Sequence, residues 1–401
     1  MPWKKSEPME QRIEFAIKAM ATLNFRALCQ EYGISAKTGY KWKERFLRRG
    51  WAGMEEDSHR PQSSPWQLGE EEVCEIVRLK LAHLPWGPRK IRELYLRRHG
   101  EVASESTFKR VLERAGLTQP RRRRRWVEAG RLYNGRRAGA CNEVWSVDFK
   151  GWWRSRGRRC EPLTVRDEHS RYILDVRAVE DAGTETVRAA FERLFEQRGL
   201  PQAMRSDNGS PFASRHSLFG LSRLSVWWVA LGIDLERGRH GHPQDNAAHE
   251  RMHKDISHEL EAVGACDQAA LDQWRQSFNY ERPHEMLGMR CPGEVYVASD
   301  KKYEGTPEDL DYPQMCARRV GNQGMIRLDG QRIFLSTSLA GWSVGLKPIA
   351  PDLVEVWFGR LLLGQVDLTT SSFIRADIRS DKTQQVADIH PNKTAATTNE
   401  V

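Results

Sequence analysis

The chain has 401 residues, with 63 basic and 54 acidic side chains, a net charge of +9 and a pI near 9.2. This length excludes a single small scaffold and predicts two to four domains, each able to bury its own core. The charge is uneven, because residues 1–140 hold 30 basic and 17 acidic residues (+13), whereas residues 141–401 hold 33 and 37 (−4). We therefore expect a polyanion to bind the first third of the chain.

Neither the apolar pattern nor the cysteines indicate export. No run approaches the roughly eighteen apolar residues of a membrane helix, and the first residues lack the apolar segment of a signal peptide. The seven cysteines are odd in number and widely scattered, without a C-x-x-C pair. This usage is typical of free thiols in a reducing compartment and offers no zinc site, so a cytoplasmic protein without membrane contact is expected.

The first domain, over residues 1–54, is predicted to be helical. Helices over 25–32 and 36–46 flank Gly33, and Ser35 is the expected N-cap of the second. This is the pattern of a helix-turn-helix, whose second helix enters the major groove of DNA. A plain helical hairpin with a solvated basic face is the alternative. The side chains expected to face outward and contact DNA are Lys37, Thr38, Lys41 and Lys43.

A Pro- and Ser-rich linker over residues 55–67 precedes a second helical domain over 68–118. Within it, one helix over 88–99 is ended by Gly100, and Ser104 is the expected cap of another over 105–115. This arrangement repeats that of the first domain. Two tandem helix-turn-helix candidates on a basic segment favour DNA binding over a solvated face.

Residues 119–141 form an arginine-rich linker with five consecutive arginines. They are Arg121, Arg122, Arg123, Arg124 and Arg125. Such a block repels itself and stays extended, so it is either a solvated connection or an arm that follows DNA phosphates. We expect both, and we expect the binding to weaken steeply with salt.

From residue 142 onward the pattern predicts a mixed α/β domain over 142–300. Strands are expected over 143–152, 161–166, 172–179, 202–205 and 233–236, with helices over 184–198, 221–231, 245–263 and 268–279. Beyond it, five short strands over 325–368 predict a small β-barrel in residues 312–376, with a hairpin turn at Asp329-Gly330. The polar tail over 377–401 is expected to be disordered.

Three carboxylates stand out as candidates for chemistry. Asp148 lies within an apolar strand, Asp207 directly follows a short strand, and Glu250 lies on a helix. Taken singly, each residue has an ordinary explanation. Asp148 could belong to a buried ion pair, Asp207 to an Asp-Asn-Gly turn, and Glu250 could be a surface glutamate. Together they could meet at one edge of the sheet, where they would repel one another unless cations neutralised them. An all-oxygen ligand set favours Mg²⁺, with Mn²⁺ as a substitute, and such ions can promote phosphodiester displacement.

At these residues the chain resembles the integrase core of bacterial insertion-sequence transposases and retroviral integrases, the DDE recombinases. The resemblance covers about residues 142–300. It rests on ordered motifs at 145–149, Asp167 with Ser170 and Arg171, 206–212, 242–250, 279–284, 287–289 and Pro292. It implies an RNase H-like core with a mixed five-stranded sheet, and Asp148, Asp207 and Glu250 as catalytic metal ligands. It also implies a bacterial enzyme, nucleoid-associated when bound to DNA.

Two features depart from the family pattern. The 43 positions from Asp207 to Glu250 exceed the usual separation, and the surplus is expected in a loop-helix insert over 214–226. The glutamate is also preceded by Asn246-Ala247 instead of the common Asn-Gly. Neither departure removes a carboxylate, so we expect an active site.

Neighbouring polar residues receive other interpretations. Asp167, with Ser170, is expected to be structural, and Asp245 could cap the helix of Glu250. Lys254 lies four residues after Glu250, where it could reach a DNA phosphate or pair with the glutamate. The His249 and His253 pair has a metal-ligand spacing but no suitable third ligand, so zinc is not expected.

The sequence therefore predicts a multidomain transposase with N-terminal all-α helix-turn-helix units, an α/β core and a small C-terminal β-barrel. Its partners would be double-stranded DNA of transposon ends and target, and it would act as a homo-oligomer on DNA. The reaction would be Mg²⁺-dependent DNA cleavage and strand transfer. The alternatives are a catalytically silent DNA-binding regulator and a nuclease without strand transfer.

Overall fold

The computed structural model describes residues 8–57, 67–101, 103–118, 135–155, 157–214, 217–238 and 247–376. The chain divides into two compact units, Met1–Gly69 and Glu70–Val401. The predicted arginine arm at 121–125 and the predicted disordered tail at 377–401 lie outside the described residues. In the described part, no helix is long and apolar enough to cross a membrane.

In residues 8–57 the first unit has three α-helices, α1 (Pro8–Ala21), α2 (Phe25–Glu31) and α3 (Ala36–Arg49). The predicted helix-turn-helix geometry is present, with Gly33 in a left-handed conformation and the Ser35 hydroxyl accepting a hydrogen bond from the Thr38 amide at 3.2 Å. Gly39 permits close packing of α3, because a Cβ there would lie 2.6 Å from the Cys29 sulfur.

The second unit begins with three helices, α4 (Glu70–Ala82), α5 (Pro88–His99) and α6 (Glu105–Arg114). The bounds predicted for α5 are confirmed: Pro88 is its first residue and Gly100, at φ +81°, ends it. Ser104 caps α6 as predicted, by accepting the Thr107 amide proton. Proline at a helix start and glycine at its end are strong local signals, which explains the close agreement.

A five-stranded mixed sheet follows, as predicted. Its strands in chain order are β1 (Val144–Phe149), a separate β2 (Trp153–Ser155) and β3 (Arg158–Cys160) hairpin, then β4 (Pro162–Asp167), β5 (Ile173–Ala178), β6 (Ala203–Ser206) and β7 (Asp234–Arg237). The order across the main sheet is β5-β4-β1-β6-β7. The first three are antiparallel, whereas β6 and β7 run parallel to β1. The α-helices described beside the sheet are α7 (Thr184–Arg198), α8 (Arg223–Ala230), α9 (Ala247–Glu259) and α10 (Gln268–Tyr280).

The two faces of this sheet carry different helices. Trp145 and Val147 of β1 are fully buried against α7 and α8, in a cluster that includes Phe191 and Trp228. On the other face, a smaller apolar cluster joins β5 to α9 and α10, where Ile256 is fully buried. The ring pairs and the apolar area of the first cluster make it the main core of the domain.

The C-terminal region contains a five-stranded antiparallel sheet and a hairpin. The strands in chain order are β8 (Cys316–Arg319), β9 (Met325–Leu328), β10 (Gln331–Phe334), β11 (Ser343–Ala350), β12 (Leu353–Phe358), β13 (Leu361–Asp367) and β14 (Ser372–Arg375). The sheet has the order β14-β13-β12-β11-β8, and β9 pairs with β10 across the predicted Asp329-Gly330 turn. The predicted small β-barrel is not confirmed, because the described strands form these two sheets rather than one closed sheet.

The predicted insert over 214–226 joins this region to the core. Leu218 and Leu221, next to α8, are buried with Val226 in one apolar cluster that includes Val344 and Phe358 of the C-terminal sheet. Burial of several aliphatic side chains contributes about 1.5 to 3 kcal/mol each. The segment between Asp207 and Glu250 thus includes an apolar surface that the C-terminal sheet covers.

The expectation that all cysteines are free thiols is wrong. Cys160 of β3 and Cys266, just before α10, form a disulfide across 106 residues. Cys29, Cys74, Cys141, Cys291 and Cys316 are free, as expected. The pairing depends on the packing of β3 beside α10, a long-range contact that cysteine spacing does not reveal.

Candidate active site

Asp148 and Asp207 lie at the ends of two neighbouring parallel strands. Val144 pairs with Ala203 and Ser146 with Arg205. This constant offset of 59 positions, carried two residues further, places Asp207 beside Asp148. Directly opposed residues of parallel strands share a face, so the two carboxylates belong to the same edge and the same side of the sheet.

The loop after β6 holds Asp207 at this edge. The carboxylate accepts a hydrogen bond from the Gly209 amide at 3.0 Å, and the Asn208 amide group donates to the Gly238 carbonyl at 2.8 Å. A Cβ at Gly209 would lie 2.8 Å from the Asp207 carboxylate, so glycine leaves room for that turn. Asp207 itself is exposed, and Asp148 is partly exposed.

Glu250 lies in the first turn of α9, next to a histidine that anchors the helix to the sheet. His249 is fully buried, with Nδ1 2.9 Å from the Ser146 hydroxyl and Nε2 3.0 Å from the Thr164 hydroxyl. Thr164 is the cross-strand partner of Asp148 and donates to its backbone carbonyl at 2.8 Å. The start of α9 therefore lies over the strand pair that contains Asp148, and Glu250 is exposed there.

The two histidines of α9 make hydrogen bonds to the sheet. His253 Nε2 also lies 2.9 Å from the Thr164 hydroxyl. Burial, followed by the neighbouring His253 and Arg166, lowers the pKa of His249 well below its usual value. Burial, followed by Lys150 and Arg166, lowers the pKa of His253 to about 4. Both rings are therefore neutral near pH 7 and act as hydrogen-bonding anchors.

Asp148 and Asp207 share one edge of the sheet, and Glu250 begins the helix that His249 anchors to β1 and β4. Among the described residues, no three His, Cys, Asp or Glu side chains lie close enough together to hold a metal ion. Their chemistry nevertheless fits a hard divalent cation, because two aspartates and one glutamate supply only oxygen donors. Asp245, the predicted cap of the Glu250 helix, lies outside the described residues.

A charged network on the same face was not predicted from the sequence. Glu168 lies 2.5 Å from the Ser146 hydroxyl, 3.4 Å from Arg166 and 3.8 Å from Arg205. Burial raises the pKa of Glu168, but Arg166, the Ser146 hydroxyl and Arg205 outweigh it and hold the pKa below its usual value. Arg205 also pairs with Glu236 of β7 at 2.9 Å. The available signal was the run of polar residues at alternating strand positions, Ser146 and Asp148 on β1 and Thr164 and Arg166 on β4.

Asp167 is structural, as predicted. It is fully buried and accepts hydrogen bonds from the Asn142 amide, the Ser170 amide and the Ser170 hydroxyl, at 2.6 to 2.7 Å. Burial raises its pKa despite these bonds. The Asp167 carboxylate therefore stabilises the turn between β4 and β5 through these hydrogen bonds.

The structure places the predicted DNA-contact residues in different settings. Lys37 and Lys41 are exposed on α3, whereas Thr38 shares the helix cap with Ser35. Lys43 is partly buried, with its ammonium 5.7 Å from the Phe25 ring centroid. Lys254 is exposed on α9. Lys37, Lys41 and Lys254 are thus the exposed lysines among the described candidates.

Comparisons with known protein families agree with this architecture. An integrase core domain model matches residues 139–243, and a second integrase core domain model matches residues 231–292. A homeodomain-like domain model matches residues 38–112. The fold and the matches define the class: an integrase-type enzyme that processes nucleic acid, with a helix-turn-helix DNA-binding domain ahead of its core.

Relatives narrow the class to a family. The chain is 32% identical over 235 residues to an uncharacterized 31.7 kDa protein of insertion element IS407 from Burkholderia multivorans, covering 56% of this chain and 81% of the relative. It is 27% identical over 258 residues to an uncharacterized 39.2 kDa protein of insertion element IS476 from Xanthomonas euvesicatoria. This match covers 62% of this chain and 70% of the relative. The chain belongs to this family of insertion-sequence transposases with an RNase H-like integrase core.

Solved structures show a more distant likeness. The HTLV-2 integrase catalytic core domain, in complex with magnesium in a trimeric form, is 14% identical and covers 40% of this chain and 100% of that chain. The TM-score is 0.33. At this distance no residue role can be transferred from it.

Proposed function

We propose that this transposase cleaves transposon-end DNA and joins the exposed end to target DNA with Asp148, Asp207 and Glu250. The strand register supports the proposal most directly, since the β1–β6 offset assigns two conspicuous aspartates to one sheet edge. The anchoring of α9 on Ser146 and Thr164 adds the helix of Glu250 to the same region. The fold alone would not carry this proposal, because similar sheets support other activities.

The proposed cofactor is Mg²⁺, with Mn²⁺ as a substitute, held by Asp148, Asp207 and Glu250. Bound ions would activate a water or a 3′-hydroxyl and stabilise the leaving oxygen of the phosphodiester. The protein's part is to fix these carboxylates on a rigid support. Asp148 is on the central strand, Asp207 is held by its turn, and Glu250 follows a fully buried histidine.

The proposed substrate is double-stranded DNA, bound as transposon ends and as target. Lys37 and Lys41 extend from α3, the second helix of the helix-turn-helix, where Thr38 completes the N-terminal cap. Helices of this kind place their N-terminal residues in the major groove. Lys254 would contribute a phosphate contact near Glu250, the arginines at 121–125 would follow the backbone, and a homo-oligomer would hold two ends together.

The test is an assay with labelled transposon ends and a target plasmid, in Mg²⁺ or in EDTA. We expect nicked and joined products from the wild type in Mg²⁺ alone. Asp207→Asn and Glu250→Gln should each lower product formation at least about 100-fold, because a metal contributes several kcal/mol to the transition state. Asp234→Asn is the control, since Asp234 lies at the other end of the sheet and pairs with Arg136.

The products also separate the alternatives. A nuclease would give nicked ends but no joined product, and a silent regulator would bind ends without nicking in either condition. Equal activity of wild type, Asp207→Asn and Glu250→Gln would overturn the assignment of the carboxylates.

A further inference from the structure

The second half of α9, besides its apolar contacts, makes ion pairs with a buried arginine that follows α10. The Arg282 guanidinium lies 2.8 Å from the Asp255 carboxylate and 3.4 Å from the Glu259 carboxylate, and only 4% of its side chain is exposed. Both carboxylates belong to α9. The Trp274 indole donates to the other oxygen of Glu259 at 2.7 Å, which ties α10 to the same group.

Arg282 also lies near the second helical domain. Its guanidinium carbon lies 6.0 Å from the centroid of the Trp86 ring, in the loop between α4 and α5. Trp86 is 3% exposed and stacks on His83 with centroids 4.0 Å apart. The Lys80 ammonium donates to the Trp86 carbonyl at 2.7 Å. Trp86 is therefore fixed within the second helical domain, with its ring near the arginine.

Further contacts fix the same domain to the segment that follows Arg282. Arg97 of α5 lies 2.8 Å from Glu294 and donates to the Met289 carbonyl at 3.0 Å. Arg89 lies 3.4 Å from Glu285. The helical domain and α9 thus have a common support, residues 282–294, in which Arg282 pairs with α9 and lies within cation–π range of Trp86.

Charge burial makes this support sensitive to substitution. Burial, followed by the Arg282 charge, lowers the pKa of Lys90 to about 8. Burial raises the pKa of Glu259, although Arg282 opposes that shift. In such surroundings, removing one partner of an ion pair leaves the other charge uncompensated, a larger effect than at the surface.

We propose that Arg282 is a positioning residue that sets the orientation of α9, and with it Glu250, according to how the second helical domain is seated. The inference rests on the proposed function of Glu250. Asp255 follows Glu250 by five residues, about 7.5 Å along one continuous helix. A displacement of Asp255 and Glu259 therefore moves the glutamate. Through Trp86, the domain that would bind DNA acts on the same arginine.

The test compares full-length Arg282→Gln with Arg275→Gln. Arg275 is a matched control on α10, because its partners are Asp272 of the same helix and the Leu174 carbonyl, not α9. Amide hydrogen exchange without DNA or metal is the first measurement. Arg282→Gln should speed exchange at least about fivefold in residues 247–259 and in residues 83–90 together, whereas Arg275→Gln should leave both near wild type.

The second measurement separates positioning from binding. Arg282→Gln should raise the Mg²⁺ concentration for half-maximal nicking of labelled ends about fivefold or more, with the DNA Kd in EDTA changed less than twofold. Arg282→Lys keeps the charge and should recover part of both effects. If Arg282→Gln does not fold, Asp255→Asn removes the stronger contact from the α9 side and the same criteria apply.

Unchanged exchange in residues 247–259, or equal effects of Arg282→Gln and Arg275→Gln, would overturn the proposal. A parallel rise in DNA Kd and Mg²⁺ requirement would also overturn it, because it would indicate general loss of structure. The exchange measurement needs no catalysis. If the wild type does not nick DNA, the proposed function alone is refuted. If the wild type nicks DNA but Arg282→Gln does not speed amide exchange in residues 247–259 and 83–90 together, the positioning role alone is refuted.

Discussion

The two faces of β1 differ in what they pack against. Trp145 and Val147 point to α7 and α8, inside the main apolar core. Ser146 and Asp148 point to the other side, where the neighbours are His249, Thr164 and a network of charged groups. One strand thus has a face that stabilises the fold through buried apolar area and a face whose polar groups are positioned by directional hydrogen bonds.

The largest effect should come from breaking the apolar face. Trp145→Ala removes a fully buried ring and should lower the free energy of unfolding by about 3 to 5 kcal/mol. Trp152→Ala is the control, since Trp152 is 56% exposed and a short distance along the chain. Denaturant unfolding measures both. Similar losses for the two variants would contradict the assignment of the core to the Trp145 face.

The next effect concerns the disulfide on the α9–α10 side. Reduction of Cys160–Cys266 should lower the free energy of unfolding by about 2 to 4 kcal/mol, because the bond closes a long loop in the unfolded chain. Thermal unfolding with and without a thiol reductant measures this loss. Cys160→Ser should remove the response, and Cys74→Ser, at an exposed free thiol, should retain it. A reductant response that persists in Cys160→Ser would exclude this bond as its source.

A smaller effect should appear with pH on the polar face. The pKa of His253 is about 4 in the folded protein, below its usual value, so the unfolded chain binds more protons between pH 6.5 and 4. The contribution of His253 to the free energy of unfolding should therefore be complete above about pH 6.5. It should be lost as the pH is lowered from about 6.5 to 4, by up to about 3 kcal/mol. His253→Gln should flatten the slope measured by urea unfolding at several pH values. Parallel curves for wild type and variant would contradict the buried neutral histidine.

The smallest effect should be on DNA affinity, for variants on α3 that lie on neither face of β1. The double variant Lys37→Ala, Lys41→Ala should weaken end binding and reduce the slope of log Kd against log salt by about 0.9 for each lost phosphate contact. Lys18→Ala is the control, because Lys18 on α1 pairs with Glu14 at 2.9 Å. Fluorescence anisotropy across a salt series gives both slopes. Equal slopes for all three proteins would place the phosphate contacts elsewhere.

Local signals explain which elements the sequence predicts well. The helix Thr184–Arg198 is found where expected, since glycines flank it and an apolar face repeats along it. The Asp329-Gly330 turn also forms as expected, with both residues at positive φ. By contrast, β8 is made of four exposed residues without alternation, and it becomes a strand only by pairing with β11.

In the candidate site, too, some features follow from local sequence and others depend on long-range pairing. The sequence identifies Asp148, Asp207 and Glu250 as residue types at strand and helix positions, but their relation depends on pairing. The pairing of β1 with β6 joins residues that are 59 positions apart in the chain. The contact of His249 with Ser146 joins residues that are 103 positions apart. Such distant contacts follow from packing of the whole domain, which no local pattern encodes.

Joined product from wild type and Asp148→Asn, measured side by side with labelled transposon ends, target plasmid and Mg²⁺, tests the central claim most directly. Melting temperatures of the two proteins, determined on the same samples, show whether the fold is retained. We predict joined product from wild type alone, with both proteins folded. Equal yields of joined product from the two proteins would contradict the role assigned to the polar face of β1.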